Sequence, residues 1–119
     1  MIAVFTTLLG AQDDVGSLTV TCNPASINES ASSSSHTTAS VLAQVSGGSG
    51  SYDYLWQKMT NDYPLMLQDS PTASSTTFST TGMAISDVWY DTFRVTVTDQ
   101  FVPARTGYAN ILITVVRFS

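Results

Sequence analysis

Thr92-Phe93-Arg94-Val95-Thr96-Val97-Thr98-Asp99 alternates apolar and polar residues without a break. Successive side chains of an extended strand point to opposite faces, so the octet puts Phe93, Val95 and Val97 on one side and Arg94, Thr96 and Thr98 on the other. A helix would scatter the same residues around its axis. The stretch therefore reads as a strand with one face for a core and one for water or a partner.

The same period of two extends outward in both directions. Toward the N-terminus, Tyr52-Asp53-Tyr54-Leu55-Trp56-Gln57-Lys58 places three aromatics on one side, with Trp56 as the candidate centre of the core. It follows the Gly47-Gly48-Ser49-Gly50 turn, which ends an earlier strand at residues 40–45 carrying Val41, Ala43 and Val45. A first strand holds Leu18, Val20 and Cys22 and stops at Asn23-Pro24, where the proline has no amide to donate. Toward the C-terminus, residues 107–118 form a long strand with Ala109, Ile111, Ile113 and Val115 on one face and Tyr108, Leu112, Val116 and Phe118 on the other. One of those faces serves the core, and the other asks for cover. Two shorter strands are expected at residues 65–68 and 75–79, bounded by Pro64 and Pro71. No stretch repeats apolar residues at helical spacing.

These strands predict an all-β chain, a two-sheet β-sandwich of about seven strands. Its core is expected at Val20, Val41, Trp56, Phe93, Val95, Val97, Ile111 and Ile113. The polar run between the first two strands, with Asn28-Glu29-Ser30 and serines at 32–35, has too little apolar area to offset its ordering entropy and is expected to be a loop.

Two segments resemble a known family. Val45-Ser46-Gly47-Gly48-Ser49-Gly50-Ser51-Tyr52-Asp53-Tyr54-Leu55-Trp56-Gln57 is similar to the "GG-x-G-x-Y-x-Y-x-W" segment of PKD-like and related bacterial and phage immunoglobulin-like domains. Ser70-Pro71-Thr72-Ala73-Ser74-Ser75-Thr76-Thr77-Phe78-Ser79 and the octet from Thr92 resemble "SP-x-x-x-x-T-x-F-S" and "F-R-V-T-V-T-D" segments of such modules in tailed-phage virion proteins. The resemblance implies an immunoglobulin-like (PKD-like) sandwich. Against the antibody pattern, Val95 stands where a disulfide cysteine would be and Phe93 where a corner tyrosine would be. The acidic "DFGDG" stretch of many PKD modules is missing as well. These motifs are core and turn residues, so they specify a fold more than a function.

Composition narrows the functional classes. Charged residues make up 11% of the chain against roughly 25% in an average domain, and four basic residues against nine acidic ones give a net charge of −5. No basic patch forms, which argues against nucleic acid as a partner. The surface is polar mainly through Ser and Thr and steers little at long range, so a partner is met by shape and backbone pairing. The single cysteine, Cys22, allows no internal disulfide and is in phase with core residues.

Residues 1–9 are apolar but much shorter than the ~20 residues that span a bilayer, and no basic residue precedes the apolar stretch. We read residues 1–16 as an N-terminal arm and residues 17–119 as the sandwich. In the arm, Ile2, Val4, Phe5, Leu8 and Leu9 are the candidate assembly residues, docking on a neighbouring subunit; a first strand packed on its own domain is the alternative.

The sequence holds no catalytic constellation. His36 is the sole histidine and falls in the expected loop, where no neighbour is placed to orient its ring. Asp87 and Asp91 flank Trp89-Tyr90 and are expected to cap a turn, since a calcium loop takes ~6 to 8 oxygen ligands and no repeated Asp spacing supplies them. Gly47, Gly48 and Gly50 lack the following Lys-Ser/Thr of a phosphate loop. No cofactor is expected.

The sequence thus leads to a non-enzymatic virion structural protein of a tailed phage, a capsid decoration or tail-associated subunit that binds other virion proteins as a homo-oligomer or multi-copy assembly. The alternatives are a secreted adhesion or spacer module at the cell surface, or a carbohydrate-binding module in which Trp89, Tyr90 and Tyr63 stack on a host-surface glycan. Neither nucleic acid nor a membrane is an expected partner.

Overall fold

The computed structural model describes residues 18–118; residues 1–17, with Ile2, Val4, Phe5, Leu8, Leu9 and the expected arm boundary, lie outside the described residues, as does Ser119. The described chain has ten strand segments: β1 (Thr19–Asn23), β2 (Ser26–Ala31), β3 (His36–Thr37), β4 (Val41–Ser46), β5 (Tyr52–Lys58), β6 (Met66–Gln68), β7 (Ser75–Thr76), β8 (Phe78–Thr80), β9 (Val88–Asp99) and β10 (Thr106–Arg117). They build an immunoglobulin-like, PKD-like sandwich.

One layer is a four-stranded sheet in the order β2-β10-β9-β5. The octet lies inside β9, which pairs antiparallel with β10 along eleven positions, from Thr106 opposite Thr98 to Val116 opposite Val88. On its other side β9 pairs with β5, where Trp56 opposes Val95.

The facing layer consists of two short sheets, β1-β4-β7 and β3-β8-β6. They are halves of one interrupted ladder. Val41 opposes Thr76, whereas Thr37 opposes Ser79 and the Thr38 amide donates to Phe78 O at 2.8 Å. Ala39 and Ser40 therefore face Thr77 alone, the signature of a β-bulge. The Thr38 and Thr76 hydroxyls take part locally, Thr38 Oγ1 accepting from the Phe78 amide at 3.1 Å and Thr76 Oγ1 from the Ser70 amide at 2.9 Å.

Between the layers sits an aromatic and β-branched core. Phe78 from the split layer packs edge-on to Trp56, centroids 6.1 Å apart, and against Phe93 at 4.6 Å. Trp56 is fully buried, and its indole Nε1 donates to Ala73 O at 2.8 Å. Val20, Val41, Phe93, Val95, Val97, Ile111 and Ile113 are buried with it, joined by Ile27, Met66 and Met83. Cys22 is half-buried on β1, and burial pushes its thiol pKa up, keeping it protonated.

The expected polar loop is the main departure. Ser26–Ala31 forms β2, paired parallel with β10 from Leu112 opposite Ser26 to Arg117 opposite Ala31. Two buried residues, Ile27 and Ala31, anchor it, and the ladder to β10 supplies the order that composition alone could not. The chain thus switches layers around Pro24, from β4's partner to β10's. His36 is also ordered, with Nε2 2.9 Å from Glu29 Oε1, and Glu29 Oε2 accepts the Ala39 amide at 3.0 Å.

Candidate functional site

Two buried carboxylates organise opposite ends of the sandwich. Asp99, at the end of β9, is fully buried and gathers four donors: Ser49 N at 2.6 Å, Ser49 Oγ at 2.9 Å, Phe101 N at 2.8 Å and Val102 N at 3.1 Å. Arg105 lies 3.6 Å away. Burial alone would raise its pKa, but the donors from Ser49, Phe101 and Val102 outweigh it and hold the carboxyl well below the usual carboxylate range. Asp99 thereby ties the glycine turn to the β9–β10 turn. Gly48 is required at this junction: its φ is +72°, and a Cβ there would collide with the Asp99 carboxylate.

Asp91 marks the other end. It belongs to β9 and to no turn, because the strand begins at Val88, four residues earlier than the octet implies. Trp89, Asp91 and Phe93 share the inward phase, so the carboxylate enters the core margin. There it receives Lys58 Nζ at 2.6 Å, Thr60 Oγ1 at 2.6 Å, Asp62 N at 3.2 Å and Tyr63 N at 3.1 Å. Burial works to raise its pKa; Lys58, Thr60 and the two amides overcome that and lower it. Of the two expected turn caps only Asp87 is one, accepting the Ala84 amide at 2.7 Å.

The segment fixed by Asp91 carries Tyr63, whose ring stacks on Trp89 at 5.8 Å and 21° and tilts against Tyr90 at 5.4 Å. The three aromatics named from sequence do meet, but they spend much of their ring area on one another. Tyr90 keeps an exposed side and Trp89 is half-buried.

Between the two ends lies the outer face of the four-stranded sheet. The register sets Ser26, Leu112 and Thr92 in one row, Asn110, Arg94 and Gln57 in the next, and Tyr108, Thr96 and Leu55 beyond. Leu55, Tyr108, Leu112, Val88 and Tyr90 are exposed there at 42%, 58%, 48%, 49% and 46%. Arg94 is the only cation in these rows; it lies over the Tyr108 ring at 3.9 Å and donates to Asn110 Oδ1 at 2.9 Å. β10 is therefore apolar on both faces, and among the described residues only the inner one is covered.

Among the described residues, no group of three or more His, Cys, Asp or Glu side chains converges as a metal site, and no pocket opens at the surface. The geometry offers an extended face, with aromatics at one end, in place of a cleft.

No known protein family and no characterised protein matches the chain by sequence. Among solved structures, it is similar to the solution structure of the PKD domain of human KIAA0319, with 16% identity, a TM-score of 0.62, and coverage of 92% of this chain and 90% of that one. At that identity the likeness establishes the fold alone.

Proposed function

We propose that this chain is a non-enzymatic structural subunit of a tailed-phage virion, a capsid decoration or tail-associated domain that binds other virion proteins in a multi-copy assembly. The open outer face of the large sheet carries the reading: a surface of Thr, Asn, Leu and Tyr side chains with one cation in its central rows suits contact by shape at high local concentration. Two further features support it. The segments from Ser70 and from Thr92 resemble those of phage virion modules, and the two buried carboxylates, Asp91 and Asp99, are engaged in holding the segments packed against the ends of β9. Mass spectrometry of purified virions, with rebinding of the recombinant chain to particles stripped of it, tests the proposal. Absence from particles together with no rebinding would refute it.

The exposed side of Tyr90 favours a second reading, a sugar-binding or adhesion module at a cell surface. Titration with host surface polysaccharide separates the two. Binding by the parent chain that is lost in Tyr90→Ala would favour the second.

A further inference from the structure

The geometry points to the outer face of the β2-β10-β9-β5 sheet as the seat of residues 2–9 from a second copy of this chain. The inference deepens the assembly reading and rests on it for its purpose, though not for its geometry.

The described chain begins beside the first residues of β10. The Leu18 amide donates to Thr106 O at 2.9 Å, and the Leu18 carbonyl packs against Gly107. From there the chain runs alongside β10 toward Arg117, since β2 continues in parallel with it. Residues 1–17 are thus attached at the Thr106 end of the sandwich, and to lie on the outer face of their own sheet they would have to reverse direction. A neighbour's face needs no reversal. Seventeen residues reach about 55 Å when extended at ~3.3 Å each, farther than the ~40 Å of the twelve-residue β10.

The arm and the face also match in composition. Residues 1–9 contain no charged side chain and carry Ile2, Val4, Phe5, Leu8 and Leu9. They match a face whose exposed residues are Leu55, Tyr108, Leu112 and Val88, interleaved with Thr92, Thr96 and Thr114. Asp13 and Asp14 follow the apolar stretch, and Arg94 is the cation of the central rows. Stacking two such faces on each other about an axis through their central rows would instead bring the two Arg94 side chains together, which like-charge repulsion disfavours.

The test keeps the full-length chain throughout. An arm variant, Ile2→Asp/Val4→Asp, and a face variant, Leu112→Asp, are compared with the parent by sedimentation velocity, with melting curves to confirm folding; Leu112→Ser replaces the face variant if it melts early. The parent is expected to self-associate, and each variant to do so at least roughly tenfold more weakly, as expected for loss of a central apolar contact. Mixing the two variants should restore association, because one supplies the arm and the other the face. Unchanged association of the arm variant, no complementation between folded variants, or a monomeric parent would overturn the inference. A monomeric parent that still rebinds virions would sink this contact and leave the proposed function standing. Self-association without virion binding would do the reverse.

Discussion

Lys58 Nζ lies 2.6 Å from Asp91 Oδ2, with the carboxylate fully buried and the ammonium nearly so. The same ammonium donates to Tyr63 O and Met66 O, each at 2.7 Å, and sits over the Phe93 ring at 5.3 Å. A charge pair in that position makes up for its desolvation only because every donor and acceptor finds a partner. It fixes the chain from β5 to β6, and with it the ring of Tyr63 against Trp89.

Replacing one member is therefore expected to cost more than replacing both. Asp91→Ala leaves a buried ammonium without its counter-charge, and the Thr60 hydroxyl and two amides without their acceptor, at a cost of about 3 to 5 kcal/mol. Lys58→Met/Asp91→Leu should recover a large part of that loss. Urea denaturation at neutral pH measures both variants. An Asp91→Ala variant as stable as the parent would show that the pair holds nothing in place.

Acid should unfold the domain through its two buried carboxylates. Asp91 and Asp99 are both held below the ordinary carboxylate range in the folded chain, while the unfolded groups titrate near ~3.9. Their contribution is fully present above about pH 4 and is lost as the pH falls toward the folded values. Melting temperature should thus be nearly flat from neutral pH to about pH 5 and drop below pH 4. Asp99→Asn should melt lower at neutral pH, since an amide cannot accept all four donors, and its acid slope should be shallower. An unchanged slope would place the acid sensitivity elsewhere.

Trp56 joins packing to a specific hydrogen bond. Trp56→Ala removes a fully buried indole from between β5 and Phe78 and should cost about 3 to 5 kcal/mol. Trp56→Phe keeps most of the apolar volume but leaves Ala73 O without the indole donor, a further loss of about 1 kcal/mol beyond the smaller ring. Differential scanning calorimetry ranks the variants. Equal loss in the two would mean that the tether to residues 70–73 dominates over packing.

How legible these features were depended on how far each residue's role is set by its own strand. The phase of Phe93, Val95, Val97, Ile111, Ile113 and Trp56 is local, so alternation alone placed them inside. β2 escaped because only Ile27 and Ala31 among its six residues are buried and apolar, and its order comes from β10, some eighty residues away. A signal was present: Ile27, Glu29 and Ala31 alternate with Ser26, Asn28 and Ser30. Asp91 was misjudged for a related reason. Carrying the octet's phase back two residues puts Asp91 inward, and carrying the phase of Tyr52, Tyr54 and Trp56 forward puts Lys58 inward too. Two opposite charges on core-facing positions of neighbouring strands are the readable trace of a buried pair. The glycine turn showed its break but not its partner, since the Asp99 carboxylate arrives from fifty residues downstream.

Gly107 is the position where the smallest change should have the clearest local effect. Its backbone does not have the left-handed φ of Gly47, Gly48, Gly50 and Gly82, so conformation does not demand a glycine there. Space does: a Cβ at Gly107 would run into the carbonyl oxygen of Leu18 and come within 3.0 Å of Val20 Cγ2. Backbone cannot step aside as a side-chain tip can, so Gly107→Ala must push β1 away from β10, with an overpacking cost of about 1 to 3 kcal/mol. The displacement falls on the Leu18 amide and its bond to Thr106 O, and it opens the buried Leu18 side chain to water. Gly50→Ala is the control, since nothing lies within 4 Å of its Cβ and its cost, about 1 to 2 kcal/mol, comes from a left-handed φ of +93° alone. Hydrogen exchange separates the two mechanisms where melting temperatures do not. Gly107→Ala should speed exchange at Leu18 and Val20 and leave β5 unaffected, whereas Gly50→Ala should leave the Leu18 amide as protected as in the parent. Unchanged protection of Leu18 in Gly107→Ala would mean that β1 can yield without losing its contact, and that the close approach of the two strands does not hold the start of the domain in place.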